Sequence, residues 1–171
     1  ASAMTVLMAS LAETQAAPFD DDLEFHRWTV NHPQAFWSFV WNECGVTGDP
    51  GGCVVHEPDR MPGARWFPDA SINYAENLLR PRDQDSVAVV FRREDGFTQR
   101  LTFESLSDQV SRCTQVLENA GVGPGDRVAA YMPNCPETLI CMLAAASLGA
   151  IFSSASPDFG ARGVLDRFSQ I

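Results

Sequence analysis

"GDRVAAYMPNCPETLICMLAAASLGAIFSSASPDFG", residues 125–160, is the stretch that decides the fold class of this chain. Residues 127–132 form an apolar run typical of a strand, and Pro136 opens a nearly all-apolar helix that ends at Gly149. Residues 150–153 follow as a second short strand. A strand, a helix and a strand with short links predict a parallel pair with a right-handed crossover, so the fold class is α/β. A helix that is apolar on nearly all sides should be covered on more than one face.

The preceding stretch predicts a hairpin and an amphipathic helix. In "SVAVVFRREDGFTQRLTF", residues 86–103, two apolar runs flank Asp95-Gly96, which is a hairpin turn signal. Thr102 is predicted to cap the next helix and Gly121 to end it. "GVGPGD", residues 121–126, then reads as a helix end and a turn, because a strand and not a helix follows it. Apolar residues recur on one face of the helix: Leu106, Val110, Cys113, Val116, Leu117 and Ala120.

The first 84 residues predict a tail and an aromatic arm. Residues 1–18 are small and weakly patterned, which predicts a mobile tail, and residues 1–3 read as a cloning scar. A helix is predicted from Pro33 to Gly45, residues 45–70 as a long connection, and "WFPDASINYAENLLRP", ending at Pro81, as a segment lying on another surface. The apolar stripe of the helix consists of Phe36, Trp37, Val40, Trp41 and Cys44, and Phe39 lies off it. Trp28 is expected to join the same aromatic cluster.

Composition narrows the classes of partner and of chemistry. The net charge of −10 argues against nucleic acid and anionic membrane as partners. No run reaches the roughly 18 apolar residues that span a bilayer. All 12 basic residues are Arg, which excludes Schiff-base chemistry and a phosphate-loop lysine for this chain. Five Cys at irregular spacing indicate reduced thiols, and hence a cytoplasmic location.

The residues alone predict neither a catalytic nor a metal site. His26, His32 and His56 all precede the α/β region, so no Ser-His-Asp or Cys-His set is expected. Cys44 and Cys53 lie near His56, but no CxxC accompanies them, and a zinc site is therefore not predicted.

"SSASPDFG", residues 153–160, leaves two interpretations open. It follows the C-terminal end of a parallel strand, where ligands bind in open α/β sheets, and three Ser and a helix N-terminus could receive a phosphate or an amide. The alternative is that Ser156 or Asp158 only caps the next helix. Capping is also the interpretation of Asn134 and Glu137 beside Pro136.

The last segment predicts a chain cut within a domain. Val164, Leu165, Phe168 and Ile171 are helically spaced, and the pattern is still running at the last residue. Two parallel strands and a hairpin make a small sheet with unpaired edges, so we expect self-association. The alternative is a free-standing binding or interaction module.

Several long stretches resemble the N-terminal part of the acetoacetyl-CoA synthetases, ligases of the adenylate-forming superfamily. They are "WFPDASINYAENLLR", "GVGPGDRVAAYMPNCPETLICMLAAASLGAIFSSASPDFG" and "VLDRFSQI", while "FDDDLEFHRWTVNHPQAFWSFVWNECGV" fits the family's aromatic N-terminal region. The resemblance covers about residues 19–171. It implies an incomplete N-terminal portion of the adenylate-forming enzyme fold. Residues 19–84 would be a mostly helical arm, and residues 85–171 the start of the large α/β AMP-binding domain.

The resemblance also implies a chemistry and a set of cofactors. ATP and acetoacetate would give an acyl-adenylate with the help of Mg²⁺, and the CoA thiol would then form the thioester. The family's phosphate loop and lysines are not in this sequence. We therefore expect the chain alone to be inactive, to bind none of these cofactors tightly, and to have the remainder of the parent enzyme as its partner. From the related acetyl-CoA synthetases, Ser156, Pro157 and Asp158 are implied as CoA neighbours, although the Gly-Gly-Phe of those enzymes is absent here. No catalytic residue and no metal ligand is implied.

Overall fold

The structure divides the chain into two compact units. A computed structural model describes residues 2–15, 19–80, 83 and 85–171. The first unit is Ala1–Ile72 and the second is Asn73–Ile171. This division falls before the predicted boundary at residues 84/85, because the helix that begins at Tyr74 packs within the second unit. The assignment of residues 19–84 to an arm and of residues 85–171 to the start of an AMP-binding domain stays a prediction.

Three helices build the first unit: α1 (Ala3–Gln15), α2 (Asp22–Asn31) and α3 (Pro33–Glu43). The Asp21 side chain caps α2 by accepting a hydrogen bond from the Glu24 amide at 2.7 Å. Helix α3 begins at Pro33 as predicted, and Gly45 follows it with a φ of 59°, a left-handed conformation that glycine adopts without strain.

The core of the first unit corrects two predictions. Leu11, Phe25 and Phe39 are buried together. The tail predicted for residues 1–18 is therefore wrong over α1, whose Leu11 is fully buried. The stripe predicted for α3 is also wrong in part, because Phe39 is its buried residue while Trp37 is 41% exposed. Trp28 packs against this cluster, as predicted.

The rest of the first unit has little regular structure, in agreement with the predicted long connection. Strands β1 (Val55–His56) and β2 (Arg65–Trp66) form a short antiparallel pair, and Asp49 bridges Ser71. Gly51 has a φ of 72°, and a Cβ there would lie 2.7 Å from the Cβ of Asp69. A side chain at position 51 would therefore clash as well as strain the backbone.

The second unit contains the predicted hairpin and the predicted parallel pair. Its elements are α4 (Tyr74–Leu79), β3 (Val87–Arg92), β4 (Thr98–Thr102), α5 (Phe103–Asn119), β5 (Arg127–Tyr131), α6 (Pro136–Ser147), β6 (Ile151–Ala155) and α7 (Ala161–Phe168). Strands β3 and β4 are antiparallel, and Gly96 in their turn has a φ of 88°. Strands β5 and β6 are parallel, in register from Arg127 opposite Ile151 to Tyr131 opposite Ala155.

Local signals set the ends of α5 and the strand after it. The Thr102 hydroxyl accepts a hydrogen bond from the Ser105 amide at 3.1 Å, and Gly121 ends the helix with a φ of 86°, both as predicted. The Asp126 carboxylate accepts a hydrogen bond from the Gly123 amide at 2.8 Å, which fixes the turn into β5. Val116 was predicted on the buried face of α5 but is 67% exposed.

Helix α6 lies at the centre of the second unit. Leu143 and Ala144 are fully buried, and the cluster around them draws on α4, α5 and the hairpin through Ala75, Val110 and Leu101. The expectation that α6 is covered on more than one face is confirmed. The segment ending in α4 packs on another surface as predicted, through Ala75 and Leu79, whereas its predicted end at Pro81 lies outside the described residues. Among the described residues, none of the helices has the length and apolar character needed to cross a membrane.

Candidate functional site

The loop of residues 156–160, here called the β6 loop, lies at the carboxyl edge of the parallel pair. It leaves β6 after Ala155 and leads into α7 at Ala161. The Met132 amide, just after β5, donates a hydrogen bond to the carbonyl of Ala155 at 3.2 Å, so the two strand ends meet at the start of the loop. This edge is where open α/β sheets bind ligands, and it is the position that the sequence predicted.

A tight turn shapes the β6 loop. The Phe159 amide donates to the Ser156 carbonyl at 3.0 Å, and Pro157 occupies the second turn position, where its fixed φ is favoured. The Ser156 hydroxyl donates to the Asp158 carboxylate at 2.8 Å and accepts from the Asp158 amide at 3.3 Å. The prediction that Ser156 or Asp158 caps the next helix is wrong, because Gly160 is the N-cap of α7 and no side chain caps it. These two side chains instead hold the turn.

Tyr131 ties the β6 loop to the neighbouring strand. Its hydroxyl lies 2.9 Å from the carbonyl of Pro157 and 2.8 Å from that of Phe159. One O–H proton is shared between two carbonyls, so the backbone of the turn curls around the phenol oxygen. Sequence reasoning missed Tyr131. The available signal was its position at the carboxyl end of the strand that pairs with β6.

An aromatic side chain closes the other side of the β6 loop. The Arg167 guanidinium carbon lies 4.4 Å from the centre of the Phe159 ring, a cation–π contact between α7 and the loop. Phe159 is still 38% exposed and offers part of its ring as an apolar surface. The loop is thus held by Tyr131 through its backbone and by Arg167 through the Phe159 ring, which stays partly exposed.

The side chains of the β6 loop fit an amide better than a phosphate. The Ser156 hydroxyl already donates to the Asp158 carboxylate, and Asp158 is exposed. A phosphate would therefore meet a negative charge with no free hydroxyl proton beside it. An amide N–H would find the carboxylate as an acceptor and the Phe159 ring as an apolar neighbour. Of the two ligand groups considered from the sequence, the geometry favours the amide.

The start of α6 contributes a second concave surface. A wide cleft of about 870 Å³ lies between the hairpin turn and this helix start, with Asn134 and Glu137 among its lining residues. Ser156, Pro157 and Asp158 do not line this cleft. Cys135, not Asn134, is the N-cap of α6, and no side-chain hydrogen bond caps the helix, so the capping role predicted for Asn134 is wrong. Glu137 lies in the first turn of α6, where a negative charge interacts favourably with the positive end of the helix dipole.

Two thiols meet between α5 and α6. The Sγ atoms of Cys113 and Cys141 lie 4.0 Å apart. The pKa of the Cys141 thiol is raised from 9.0 to about 11, mainly by burial and in second place by the neighbouring Cys113. A thiol with so high a pKa is poorly suited to act as a nucleophile at neutral pH.

Comparison with known proteins identifies the family. The model of the AMP-binding enzyme family matches residues 80–170, and that of the acetyl-coenzyme A synthetase N-terminus matches residues 23–78. The chain belongs to the AMP-binding enzyme family. It is 53% identical over 153 residues to the acetoacetyl-coenzyme A synthetase of Rhizobium meliloti (strain 1021). The aligned region makes up 90% of this chain and 23% of that protein. It is also 37% identical over 155 residues to a malonamoyl-CoA synthetase of Penicillium aethiopicum. That aligned region makes up 86% of this chain and 21% of the relative.

A solved structure supports the same assignment. The structure of the acetoacetyl-CoA synthetase of Streptomyces lividans superposes on this chain with a TM-score of 0.87 and 39% sequence identity. The superposed region is 98% of this chain and 26% of the S. lividans chain. The predicted resemblance to the N-terminal part of the acetoacetyl-CoA synthetases is therefore confirmed, as is the α/β fold with an aromatic-rich helical arm. The chain spans only about a quarter of the length of these relatives.

Proposed function

We propose that this chain is the N-terminal part of an ATP-dependent acetoacetate–CoA ligase. The observation that carries the proposal is the 53% identity to an acetoacetyl-coenzyme A synthetase over 153 residues. In the proposed reaction the acetoacetate carboxylate attacks ATP to give acetoacetyl-adenylate and pyrophosphate. The CoA thiol then displaces AMP and forms the thioester. The family matches at residues 23–78 and 80–170 support an arm over residues 19–84 and the start of an AMP-binding domain over residues 85–171.

The residues of this chain serve the second step in the proposed enzyme. Ser156, Pro157 and Asp158 are the proposed CoA neighbours, with the Asp158 carboxylate accepting from an amide N–H of the pantetheine arm. ATP and Mg²⁺ are proposed to bind in the rest of the enzyme, because the phosphate loop and the lysines that the resemblance implies are not in this sequence. The chain alone is therefore proposed to be inactive and to bind none of these cofactors tightly. No catalytic residue and no metal ligand is assigned to it.

The acid is the least constrained part of the proposal. Acetoacetate comes from the names of the relatives, and one relative at 37% identity is a malonamoyl-CoA synthetase. Both names describe short acids with a carbonyl group two carbons from the carboxylate. The proposed substrate class is therefore a short carboxylic acid with a ketone or amide carbonyl at C3, and acetoacetate is the substrate we propose within it.

A chimera tests the proposal directly. In the R. meliloti enzyme, the 153 residues that align with this chain are replaced by the residues of this chain. The purified chimera is assayed for acetoacetate-dependent ATP–pyrophosphate exchange and for acetoacetyl-CoA formation. Both activities are expected, at rates within about tenfold of the unmodified R. meliloti enzyme, because the segment carries no group that the adenylation step requires.

The isolated chain provides the matching control. With an intact mass of 18.7 kDa it should give no ATP–pyrophosphate exchange with acetoacetate and Mg²⁺. Exchange at that mass would refute the proposed inactivity. A folded chimera, shown by circular dichroism and gel filtration, without thioester formation would refute the proposed role of the segment. That result would favour a separate binding module instead.

Two further properties stay proposals. The cytoplasmic location rests on the cysteine pattern of the sequence. Self-association of the isolated chain is supported by the unpaired edges of the two-stranded β5–β6 sheet, since β5 and β6 pair only with each other within the described residues. Sedimentation velocity of the isolated chain would show a mass above 18.7 kDa if the second proposal is right.

A further inference from the structure

The phenol of Tyr131 makes a contact that the proposed reaction does not explain. Tyr131 ends β5 and is half exposed, so its ring contributes little to the core. Its hydroxyl nevertheless reaches the carbonyls of Pro157 and Phe159, residues 26 and 28 positions further along the chain. The hydroxyl group is therefore placed for the β6 loop and not for packing.

The two carbonyls would not converge on one point without a donor between them. Pro157 and Phe159 flank Asp158, and the turn hydrogen bond from the Phe159 amide to Ser156 closes the loop from within. Two carbonyl dipoles that point toward the same place repel each other, and a shared O–H proton offsets that repulsion. Without the hydroxyl, the turn should relax by rotating one of these carbonyls away.

Rotation of either carbonyl would move the side chain that lies between them. Asp158 is held to Ser156 through both its carboxylate and its amide, so the pair moves as one body with the turn. The Phe159 ring is held separately, by Arg167 on α7. Tyr131 therefore controls the orientation of Ser156 and Asp158, while Arg167 controls that of the aromatic face.

We infer that Tyr131 is a positioning residue that holds the β6 loop in the conformation that receives CoA. It acts through the backbone carbonyls of Pro157 and Phe159 and does not itself touch the ligand. The CoA half of the inference, that the held conformation receives CoA, rests on the proposed function. Its structural half, that Tyr131 holds the loop, can be tested on the chain alone.

The sequence offers a matched pair of variants, because it contains only two tyrosines. Tyr131→Phe removes the hydroxyl that holds the loop. Tyr74→Phe removes a hydroxyl in the same unit, on α4, from a residue that is 60% exposed and has no hydroxyl hydrogen bond to other described residues. The chemical change is identical, and both rings stay in place.

Hydrogen exchange on the chain tests the structural half. Tyr131→Phe should accelerate exchange of the Asp158 and Phe159 amides by about two- to tenfold, the effect of losing one neutral hydrogen bond. The amides of the β5–β6 ladder and of α6 should be unchanged, which shows that the fold is intact. Tyr74→Phe should leave exchange in the β6 loop unchanged. Unchanged exchange at Asp158 and Phe159 in Tyr131→Phe would overturn the inference.

Kinetics in the chimera test the CoA half. Tyr131→Phe should raise the KM for CoA by about two- to tenfold and leave ATP–pyrophosphate exchange unchanged, because that exchange precedes CoA binding. Tyr74→Phe should change neither. An unchanged KM for CoA, or an equal change in both variants, would overturn the CoA half. A chimera with Tyr131 intact that forms no thioester would refute the proposed function, and the CoA half would fall with it, while hydrogen exchange would still decide whether Tyr131 holds the loop.

Discussion

Replacing Asn73 by alanine should destabilise the second unit by about 2 kcal/mol, because this one side chain serves two purposes. Its Oδ1 accepts a hydrogen bond from the Glu76 amide at 3.1 Å and so caps α4. Its Nδ2 donates to the carbonyl of Ala146 at 2.9 Å and to that of Ser147 at 3.3 Å. The cap contributes about 1 kcal/mol. The partly buried bond to Ala146 contributes about 1 kcal/mol more, since the longer, exposed contact to Ser147 adds little.

Two further substitutions separate the cap from the link to α6. Asn73→Ser keeps a capping oxygen and loses the donor, so it should cost about 1 kcal/mol. Asn73→Asp also keeps the cap, but its carboxylate would face the last carbonyls of α6, at the negative end of the helix dipole. At neutral pH it should therefore be at least as destabilising as Asn73→Ser. In acid a protonated carboxyl can donate to Ala146, so the deficit of Asn73→Asp should shrink as the pH falls.

Native-state hydrogen exchange measures these differences within the second unit. The free energy of opening is taken from the slowest amides of α6, such as those of the fully buried Leu143 and Ala144. Asn119→Ala, at the exposed end of α5, is the control and should change that free energy by less than about 0.5 kcal/mol. The reasoning is refuted if Asn73→Asp is as stable as the parent at neutral pH, or if Asn73→Ala matches the control.

Three further predictions concern the buried Leu143 and Leu11 and the partly buried Cys141. Leu143→Ala should lower the free energy of unfolding by about 3 kcal/mol because Leu143 is fully buried, whereas Leu165→Ala, at a residue 72% exposed, should cost less than about 0.5 kcal/mol. Urea denaturation followed by circular dichroism compares the two, and equal effects would contradict the packing. Leu11→Ala should cost a similar 3 kcal/mol in the first unit, read from tryptophan emission because all four Trp lie before residue 73, and a tolerated change would contradict the packing of α1. Cys141, with its pKa raised to about 11, should react with iodoacetamide at pH 8 about tenfold more slowly than a cysteine peptide, as measured by peptide mass spectrometry. Because the unfolded thiol ionises near pH 9.0 and the folded thiol near 11, stability should fall as the pH rises between these values, and Cys141→Ser should flatten that part of the curve.

The elements that the sequence predicted correctly depend on neighbouring residues. Asp95-Gly96 sets the hairpin because glycine tolerates the φ of 88° that the turn requires. Thr102 caps α5 through an amide only three residues away. Gly149, with a φ of 69°, ends α6 where the pattern predicted. In each case the partner atoms lie within a few residues, so the sequence alone contains the whole interaction.

The features that the sequence did not reveal depend on distant partners. Helix α1 is rich in Ala, Met and Leu, which favour a helix. Its apolar residues are not confined to one face, so the sequence gives no sign that Leu11 is the buried one. The burial of Phe39 was missed for the same reason, because Phe39 is buried in the cluster that Leu11 of α1 completes. Tyr131 was missed because its two acceptors lie 26 and 28 residues away.

The β6 loop combines both kinds of information. The rule for parallel strands places a ligand-binding loop after β6, and that placement required only the order of strand, helix and strand. The chemistry of the loop depends on details that the rule does not contain. The Ser156 hydroxyl donates its proton to Asp158, and the Arg167 guanidinium lies over the Phe159 ring, where it keeps its charge. Within the loop, the Ser156–Asp158 pair presents a negative charge and no free hydroxyl proton, so we expect phosphate recognition in the proposed ligase to come from residues outside this loop. What the loop retains is one exposed carboxylate beside an aromatic ring, a pairing suited to an amide on an apolar chain.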